Sequence, residues 1–228
     1  MNVAADWGVL FDWDGVIVDS SSAHELSWER LASLEKKTLP SNHFKKGFGK
    51  KNESIIPDLL GWTSDLVEIS RLSLLKEKLY RDIVREQGLR PLPGVLSLVK
   101  TLTEAAIPFA IASSTHRENI LSVLDVIGLP GSFVHIVSSE DVGQGKPHPE
   151  VFLKAAGKIR RPPERCIVFE DTPVGLEAAH RGGMKAVGVL TSHPREKLTE
   201  ADVCVERLDA LGLAELRALL DTPRETSS

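Results

Sequence analysis

Six short apolar runs, separated by longer amphipathic stretches, constrain the fold of this chain more than any other feature of its sequence. The runs are "WGVLF" (7–11), "PFAIA" (108–112), "VHIV" (134–137), "CIVFE" (166–170), "AVGVL" (186–190) and "DVCV" (202–205). Continuous apolar runs of this length suit strands that are covered on both faces, and alternation with helices is typical of parallel sheets with right-handed crossovers. The pattern predicts an α/β fold with a parallel sheet.

Helical periodicity fills the stretches between these runs. The predicted helices cover 94–105, 116–127, 149–158, 173–181 and 208–220. The helix at 173–181 carries the clearest boundary signals, because Thr172 suits its N-cap, Pro173 suits its first turn and two glycines at 182–183 end it.

One interval interrupts this alternation. Between about residues 20 and 90 the sequence has helical periodicity and no convincing strand, as in "SSAHELSWERLASLEKK" and "DLVEISRLSLLKEKLYRDIVREQG". This predicts a small helical domain at 20–90, inserted into a core formed by 1–19 and 91–221. The last residues, 222–228, are expected to form a disordered tail.

Polar side chains follow three of the predicted strands directly. They are Asp12 and Asp14 after the first run, Ser113 and Ser114 after the second, and Glu170 and Asp171 at the end of "CIVFE" and just beyond it. Ligands bind at the carboxyl ends of the strands in an open parallel sheet, so these side chains are expected to share one site. A separate loop, "QGKPHPE", carries Lys146.

Asp12 and Asp14 have two interpretations, a solvated turn or a pair of acids delivered to a site by a buried strand. Burying a carboxylate is costly unless something compensates its charge, which favours the second interpretation. Residues two apart on an extended backbone point the same way, so both acids are expected to face one pocket while Trp13 faces away. Gly15 then allows a sharp turn.

Four segments resemble, in order, the motifs of the haloacid dehalogenase superfamily. The segments are "FDWDGVIVDS", "AIASS", "GKPHPEVF" and "VFEDTPVGLEAAHRGGM". The helical insertion after the first motif is similar to that of the beta-phosphoglucomutase-like branch. The resemblance implies a Rossmann-like parallel sheet core with an inserted helical cap domain at 20–90.

The resemblance also implies roles in phosphoryl transfer. Asp12 would be the nucleophile that forms an aspartyl-phosphate, and Asp14 the general acid and base. Ser113 and Lys146 would hold the transferring oxygens. Backbone N–H groups at the start of the 116–127 helix are expected to add to this phosphate cradle, although Ser113 could equally cap that helix.

Carboxylates that face a phosphate repel it, so positive charge is required, and Mg²⁺ suits this role because it prefers oxygen ligands. The resemblance implies Asp12 and Asp171 as side-chain ligands and the Asp14 carbonyl as a third. Glu170 is a further candidate ligand, or it satisfies backbone donors instead.

Four residues are candidates for contact with the rest of the substrate, namely Ser114, His24, Lys51 and Lys76. In the mutases of the branch, a histidine follows the first motif, a basic cap residue binds the distal phosphate and a cap lysine lies near the sugar. Lys51, or Lys50 beside it, stands where those mutases have an arginine, and a lysine offers phosphate only a point charge. His24 could instead make a structural contact with Trp28, one helical turn away.

The leading functional hypothesis is a Mg²⁺-dependent phosphatase that acts on a small phosphorylated metabolite, such as a sugar phosphate. A phosphoglucomutase-like isomerase is the alternative, supported by His24 and Lys76 and opposed by the missing arginine. A non-catalytic binding protein is disfavoured because Asp12, Asp14 and Lys146 are all present. Dehalogenase chemistry has no use for the second acid.

Charge and hydropathy patterns exclude other partners. The 28 basic and 32 acidic side chains are well mixed, and the net charge of −4 comes without a basic stripe, which argues against nucleic acid or membrane surfaces. No apolar run approaches the ~18 residues of a membrane span. The amino terminus does not read as a signal peptide, and we expect a cytoplasmic monomer or weak homodimer.

Overall fold

A computed structural model of the chain describes residues 5–47 and 50–222. Its sheet has six parallel strands in the order β3-β2-β1-β4-β5-β6, which confirms the predicted α/β fold. The strands are β1 (Gly8–Phe11), β2 (Phe109–Ala112), β3 (His135–Val137), β4 (Cys166–Glu170), β5 (Lys185–Val189) and β6 (Val203–Val205). Five of them fall within one of the predicted apolar runs, and β5 begins one residue before its run, at Lys185.

Helices alternate with the strands from β2 onwards. The α-helices of the described residues are α1 (Ser21–Leu34), α2 (His43–Gly47), α3 (Asn52–Ser54), α4 (Leu66–Gln87), α5 (Val95–Glu104), α6 (Arg117–Val126), α7 (Glu150–Lys158), α8 (Pro173–Arg181) and α9 (Leu213–Asp221). None of them is long and apolar enough to cross a membrane. The predicted boundaries of α8 are confirmed, because the Thr172 side chain accepts a hydrogen bond from the Gly175 N–H and Pro173 opens the helix.

The predicted terminal helix at 208–220 is wrong at its start. Leu208–Ala210 form a short 3-10 turn, and α9 begins only at Leu213. The Glu215 carboxylate accepts a hydrogen bond from the Gly212 N–H at 2.8 Å, which caps a new helix beyond the turn. Of the predicted tail, Thr222 donates its hydroxyl to the Ala218 carbonyl at 3.1 Å, and 223–228 lie outside the described residues.

β1 lies at the centre of the sheet with all four residues buried, between β2 and β4. Leu10 pairs with Ala110 on one side and with Val168 on the other. The Phe11 ring stacks on Phe169 with centroids 5.4 Å apart, which fixes the ends of β1 and β4 side by side. The first and fourth motifs therefore emerge next to each other at the carboxyl edge of the sheet.

The chain divides into two compact units, with boundaries between Asp19 and Ser20 and between Leu89 and Arg90. The inner segment, 20–89, is the helical unit. It contains helices α1 to α4 and has its own apolar cluster, formed by Trp28, Leu31, Ile55, Ile56, Ile69 and Leu72. The outer segments form the sheet unit, where Val18 and Pro91 pair in antiparallel fashion just inside the boundaries.

Candidate active site

A lysine and two carboxylates meet at the carboxyl ends of β1 and β4. The Lys146 ammonium donates to Asp12 Oδ1 at 2.7 Å and to Glu170 Oε2 at 2.8 Å. The Asp12 N–H donates to the Phe169 carbonyl at 2.9 Å, so strand pairing continues one residue beyond β1 and fixes this acid beside Glu170. The structure thus brings together three residues that the sequence places far apart.

Asp171 completes a compact acidic cluster with Asp12 and Glu170. One carboxylate oxygen from each of the three buried residues lies within 4.8 Å of the others. Gly15 makes room for this cluster, because a Cβ at that position would lie 1.9 Å from Asp171 Oδ2. Its φ of +79° also lies in the left-handed region that favours glycine, so the turn expected after Asp14 is confirmed.

Burial and the repulsion between neighbouring carboxylates raise the pKa of two acids in this cluster. Burial, with the charge of Glu170 beside it, raises the pKa of Asp12 to about 6. Burial and the charges of Glu170 and Asp12 raise the pKa of Asp171 to about 8. Burial disfavours the charged form of Lys146, but Asp12 and Glu170 outweigh it and raise the pKa of the ammonium, which therefore stays charged.

The residues present fit a divalent cation. If all three carboxyl groups were ionised, the single Lys146 ammonium would leave two negative charges uncompensated, and a divalent ion would balance both. Asp171 Oδ1 is buried and accepts no hydrogen bond from the described residues. An unsatisfied carboxylate oxygen beside other carboxylates is a suitable donor set for Mg²⁺.

Glu170 also has a structural role at the start of α8. Its Oε1 accepts hydrogen bonds from the Thr172 hydroxyl and, at 3.2 Å, from the Thr172 N–H, while its other oxygen faces Lys146. Gly175 lets α8 approach, since a Cβ there would lie 2.0 Å from Glu170 Cδ. Both interpretations given to Glu170 from the sequence are therefore compatible with its contacts.

Asp14 is held from the loop after β2. The Thr115 hydroxyl donates to Asp14 Oδ2 at 2.7 Å, and the Thr115 N–H donates to Ser113 Oγ at 3.0 Å. Ser113 is buried and Ser114 is exposed. The sequence did not single out Thr115, although its place three residues after the predicted strand end at 112 was a usable signal.

The start of α6 differs from its expected role. Ser113 does not cap this helix, because His116 is the N-cap residue and makes no capping hydrogen bond with its side chain. The Arg117 N–H, the first of the helix, donates to the Glu140 carboxylate, with both oxygens at 3.2 Å. The predicted contribution of these N–H groups to a phosphate cradle is therefore wrong for Arg117, whose donor already has an acidic partner.

The segment after β5 also contacts residues of the cluster and of the turn at Gly15, and the sequence did not predict these contacts. The Thr191 hydroxyl donates to the Gly15 carbonyl, and His193 Nδ1 donates to the Asp171 carbonyl at 3.1 Å. A hydrogen bond with the Ser192 side chain partly opposes the rise in the pKa of Asp171. Only tertiary contacts bring these residues to the site, so no local sequence motif indicated them.

Within the helical unit, His24 and Lys76 lie together as part of a buried polar group. His24 Nδ1 accepts from the Lys76 ammonium at 2.7 Å, and Lys76 also pairs with Glu77 at 3.0 Å. The His24 ring stacks on Tyr80 at a centroid distance of 4.0 Å, so Tyr80 is an aromatic partner that the sequence did not indicate. Asn52 donates to Glu77 at 2.6 Å and extends the group.

Lys51 is exposed and precedes α3 in the helical unit. With Lys50 it lines an open cavity of about 410 Å³, and Ser54, Asp58 and Leu59 complete that lining. The neighbour of Lys51 in the chain, Asn52, belongs to the polar group around Lys76.

A model of the haloacid dehalogenase-like hydrolase family matches residues 8–183. This span runs from β1 to the end of α8 and includes each of the clustered acids and Lys146. The chain therefore belongs to the haloacid dehalogenase-like hydrolases, as the four motifs predicted.

Named relatives include a phosphatase and a mutase. The chain is 38% identical over 218 residues to the chloroplastic 5-amino-6-(5-phospho-D-ribitylamino)uracil phosphatase of Arabidopsis thaliana, which covers 94% of this chain and 58% of that protein. It is 31% identical over 216 residues to beta-phosphoglucomutase of Bacillus subtilis, which covers 90% of this chain and 91% of that one. This chain thus spans little more than half the length of the Arabidopsis relative.

The fold is also shared with a solved structure at lower sequence identity. CbbY from Rhodobacter sphaeroides in complex with phosphate superposes with a TM-score of 0.84 at 21% identity, over 96% of this chain and 100% of that chain. At this identity the likeness concerns the fold, the sheet core with its inserted helical segment.

Proposed function

We propose that this protein is a Mg²⁺-dependent phosphatase that hydrolyses a small phosphate monoester through an aspartyl-phosphate intermediate. The observation that carries the proposal is the contact of Lys146 with both Asp12 and Glu170, at 2.7 and 2.8 Å, beside the buried Asp171. It combines a carboxylate nucleophile, a fixed positive charge and a cation site within one cluster. Membership of a hydrolase family supports it.

In the first step, an Asp12 carboxylate oxygen attacks phosphorus and the bond from phosphorus to the ester oxygen breaks. Asp14 donates a proton to that departing oxygen, which leaves as an alcohol. In the second step, Asp14 takes a proton from water while the water oxygen attacks the phosphorus of the aspartyl-phosphate, which releases inorganic phosphate and restores Asp12. Thr115, which donates to Asp14 at 2.7 Å, orients this acid for both transfers.

Positive charge and hydrogen-bond donors stabilise the transferring group. Asp12 and Asp171, with the Asp14 carbonyl, would hold Mg²⁺, which when bound supplies charge that neutralises the phosphoryl oxygens. Lys146 supplies a fixed second charge, and the buried Ser113 hydroxyl supplies a donor. Glu170 keeps the Lys146 ammonium in place through its 2.8 Å contact.

A relative supports the choice of substrate class. The Arabidopsis relative is named for a phosphate carried on a ribityl chain, which is a polyhydroxylated monoester. We assign the same chemical class, a phosphorylated polyol or sugar, to this protein.

The test is release of inorganic phosphate by the purified protein, with Mg²⁺ and with EDTA, across sugar phosphates, polyol phosphates, nucleotides and phosphoglycolate. We expect Mg²⁺-dependent release that is strongest for the polyhydroxylated monoesters. The Asp12→Asn variant should lose turnover, by roughly 10⁴-fold or more, because the amide is no nucleophile, while its circular dichroism stays unchanged. Appreciable turnover by Asp12→Asn would refute the nucleophile assignment.

A phosphosugar mutase is the second candidate, and the Bacillus relative favours it because it matches nearly the full length of both chains. A mutase would return the phosphoryl group from Asp12 to a sugar hydroxyl instead of to water. Interconversion of beta-glucose 1-phosphate and glucose 6-phosphate, with little release of phosphate, would replace the phosphatase proposal with this one.

A further inference from the structure

Glu140 places a carboxylate at the N-terminus of α6. Both of its oxygens lie 3.2 Å from the Arg117 N–H, and Oε1 also lies 3.1 Å from His116 Nδ1. The Ser139 hydroxyl donates to Oε2 at 3.2 Å. A helix N-terminus attracts anions through its free N–H groups and its dipole, and here an acid of the protein itself occupies that position.

Hydrogen bonds keep this carboxylate ionised. Burial disfavours its charge, but hydrogen bonds from Ser138, His116 and the Arg117 N–H outweigh burial and lower the pKa of Glu140. The nearby Arg117 guanidinium does not neutralise it, since that group pairs with Asp141 at 2.6 Å and donates to the Ile136 carbonyl at 3.0 Å. Glu140 therefore presents a net negative charge, and its side chain is 48% exposed.

Glu140 is tied directly to the loop that holds Asp14. The Ser139 N–H donates to the Thr115 carbonyl at 3.2 Å, and the Thr115 hydroxyl donates to Asp14. His116, which contacts Glu140, follows Thr115 in the chain. The carboxylate is thus linked through the 115–117 segment to the acid that would protonate the departing alcohol.

We propose that Glu140 is a specificity-determining residue, which excludes substrates that carry a second phosphoryl group and so restricts the protein to monophosphates with an uncharged remainder. A second phosphate dianion that approached the start of α6 would meet a like charge, and the first helical N–H is already engaged. The inference rests on the phosphatase proposal and narrows its substrate class. It also weighs against a mutase, whose sugar bisphosphate intermediate carries two phosphoryl groups.

The experiment compares matched substrates, fructose 6-phosphate with fructose 1,6-bisphosphate and ribulose 5-phosphate with ribulose 1,5-bisphosphate, in wild type and in Glu140→Gln. The glutamine keeps the size and one acceptor oxygen but removes the charge. In Glu140→Gln we expect kcat/KM for the bisphosphates to rise about fivefold or more over wild type, because a like charge near the site is removed. We expect kcat/KM for the monophosphates to stay within about twofold of wild type.

Glu118→Gln is the matched control. Glu118 is an exposed acid in the first turn of the same helix, so this variant removes an equal charge without touching the Glu140 contacts. An equal rise in Glu118→Gln, a parallel change for both kinds of substrate, or no gain for the bisphosphates would each overturn the proposal.

Binding separates this inference from the phosphatase proposal. Calorimetry with the same compounds on Asp12→Asn, with and without Glu140→Gln, reports the ratio of bisphosphate to monophosphate affinity in the absence of turnover. A fivefold shift in that ratio would support the role of Glu140 even if wild type hydrolysed none of these esters. An unchanged ratio, or no binding of either compound by any variant, would overturn it.

Discussion

At the scale of single residues, the acid cluster destabilises the unloaded protein. An acid whose pKa is higher in the folded than in the unfolded state opposes folding once the pH exceeds the unfolded value, and the penalty grows until the pH passes the folded value. For Asp171 that window runs from its usual 3.8 to about 8. Near neutral pH, this side chain therefore reduces stability and is retained for another reason.

We predict that Asp171→Asn is more stable than wild type in EDTA near pH 7.5, by on the order of 1–3 kcal/mol, since the substitution removes this penalty. Mg²⁺ should raise the melting temperature of wild type and leave that of the variant unchanged. Differential scanning calorimetry measures both. The exposed Asp19, as Asp19→Asn, is the control, and a lower melting temperature for Asp171→Asn in EDTA would contradict the prediction.

Gly15→Ala should damage the site by a clash as well as by backbone strain. The new Cβ would lie 1.9 Å from Asp171 Oδ2, so Asp171 must move, and the left-handed backbone adds about 1–2 kcal/mol. We expect the rise in melting temperature with Mg²⁺ to disappear. Gly128→Ala is the matched control because Gly128 has a φ of +77° with nothing within 4 Å, so it should lose stability but keep its response to Mg²⁺.

The sequence predicted the residues at strand ends better than those that support them. Asp12, Glu170 and Asp171 follow apolar runs that had to be neighbouring strands, so their convergence was predictable. Ser192 and His193 reach the cluster only because the segment after β5 folds back towards Gly15, and nothing in their local sequence encodes that path. Glu140 was also missed, although it lies three residues after the predicted strand end at 137.

At the scale of elements, the edge strand β6 is attached to β5 by an acid, whose side chain is 13% exposed, as well as by its ladder. Asp202 accepts from the Ala186 N–H at 2.7 Å and from the Lys185 ammonium at 2.8 Å, and it contacts His180. Burial disfavours its charge, but these hydrogen bonds outweigh burial and lower the pKa of Asp202. The stability that it contributes is present above the unfolded pKa and is lost as the pH falls towards the folded value.

We predict that Asp202→Asn lowers the free energy of unfolding at pH 7 by about 1–3 kcal/mol, because charged hydrogen bonds to a mostly buried group are lost. The deficit should shrink as the pH falls below about 4, where the unfolded aspartate of wild type takes up a proton. Urea unfolding at pH 7 and at pH 3.5 measures it. A loss of unfolding free energy that stays constant with pH would show that the shape of the side chain at position 202, and not its charge, stabilises the fold.

The predicted elements failed mainly at their ends. The six strands were recognisable because each contains a short apolar run, whereas α9 was extended backwards over Leu208–Ala210, whose apolar spacing mimics a helix. The distinction lies in the Glu215 cap on Gly212, which is a side-chain contact and not a periodicity. The short helix α2 at His43–Gly47 gave no periodic signal because it has only five residues.

At the scale of the whole molecule, the sheet unit is closed across the point where the helical unit is inserted. Val18 pairs with Pro91, and the Leu92 N–H donates to the Ile17 carbonyl at 2.9 Å. Asp19 directly follows Val18 and Arg90 directly precedes Pro91, so Asp19 and Arg90 lie close together. All members of the acid cluster, with Lys146, belong to the sheet unit.

We predict that a chain in which a short glycine–serine linker joins Asp19 to Arg90 still folds cooperatively, because the sheet and its buried core are retained. Its melting temperature should still rise with Mg²⁺, since the acid cluster is intact. Circular dichroism and calorimetry with Mg²⁺ or EDTA test this, with the linker variant carrying Asp171→Asn as control. A noncooperative transition, or a missing response to Mg²⁺, would contradict it.

The pairing of Val18 with Pro91 has a consequence for how such a chain can change over evolutionary time. A segment whose entry and exit points are held side by side can gain, lose or exchange residues without altering the register of the strands that flank it. Sequence drift in 20–89 is therefore free to change the helical unit, while the acid cluster and Lys146 stay encoded in the flanking stretches of the gene. Recombination at this junction would exchange the whole helical unit in a single event.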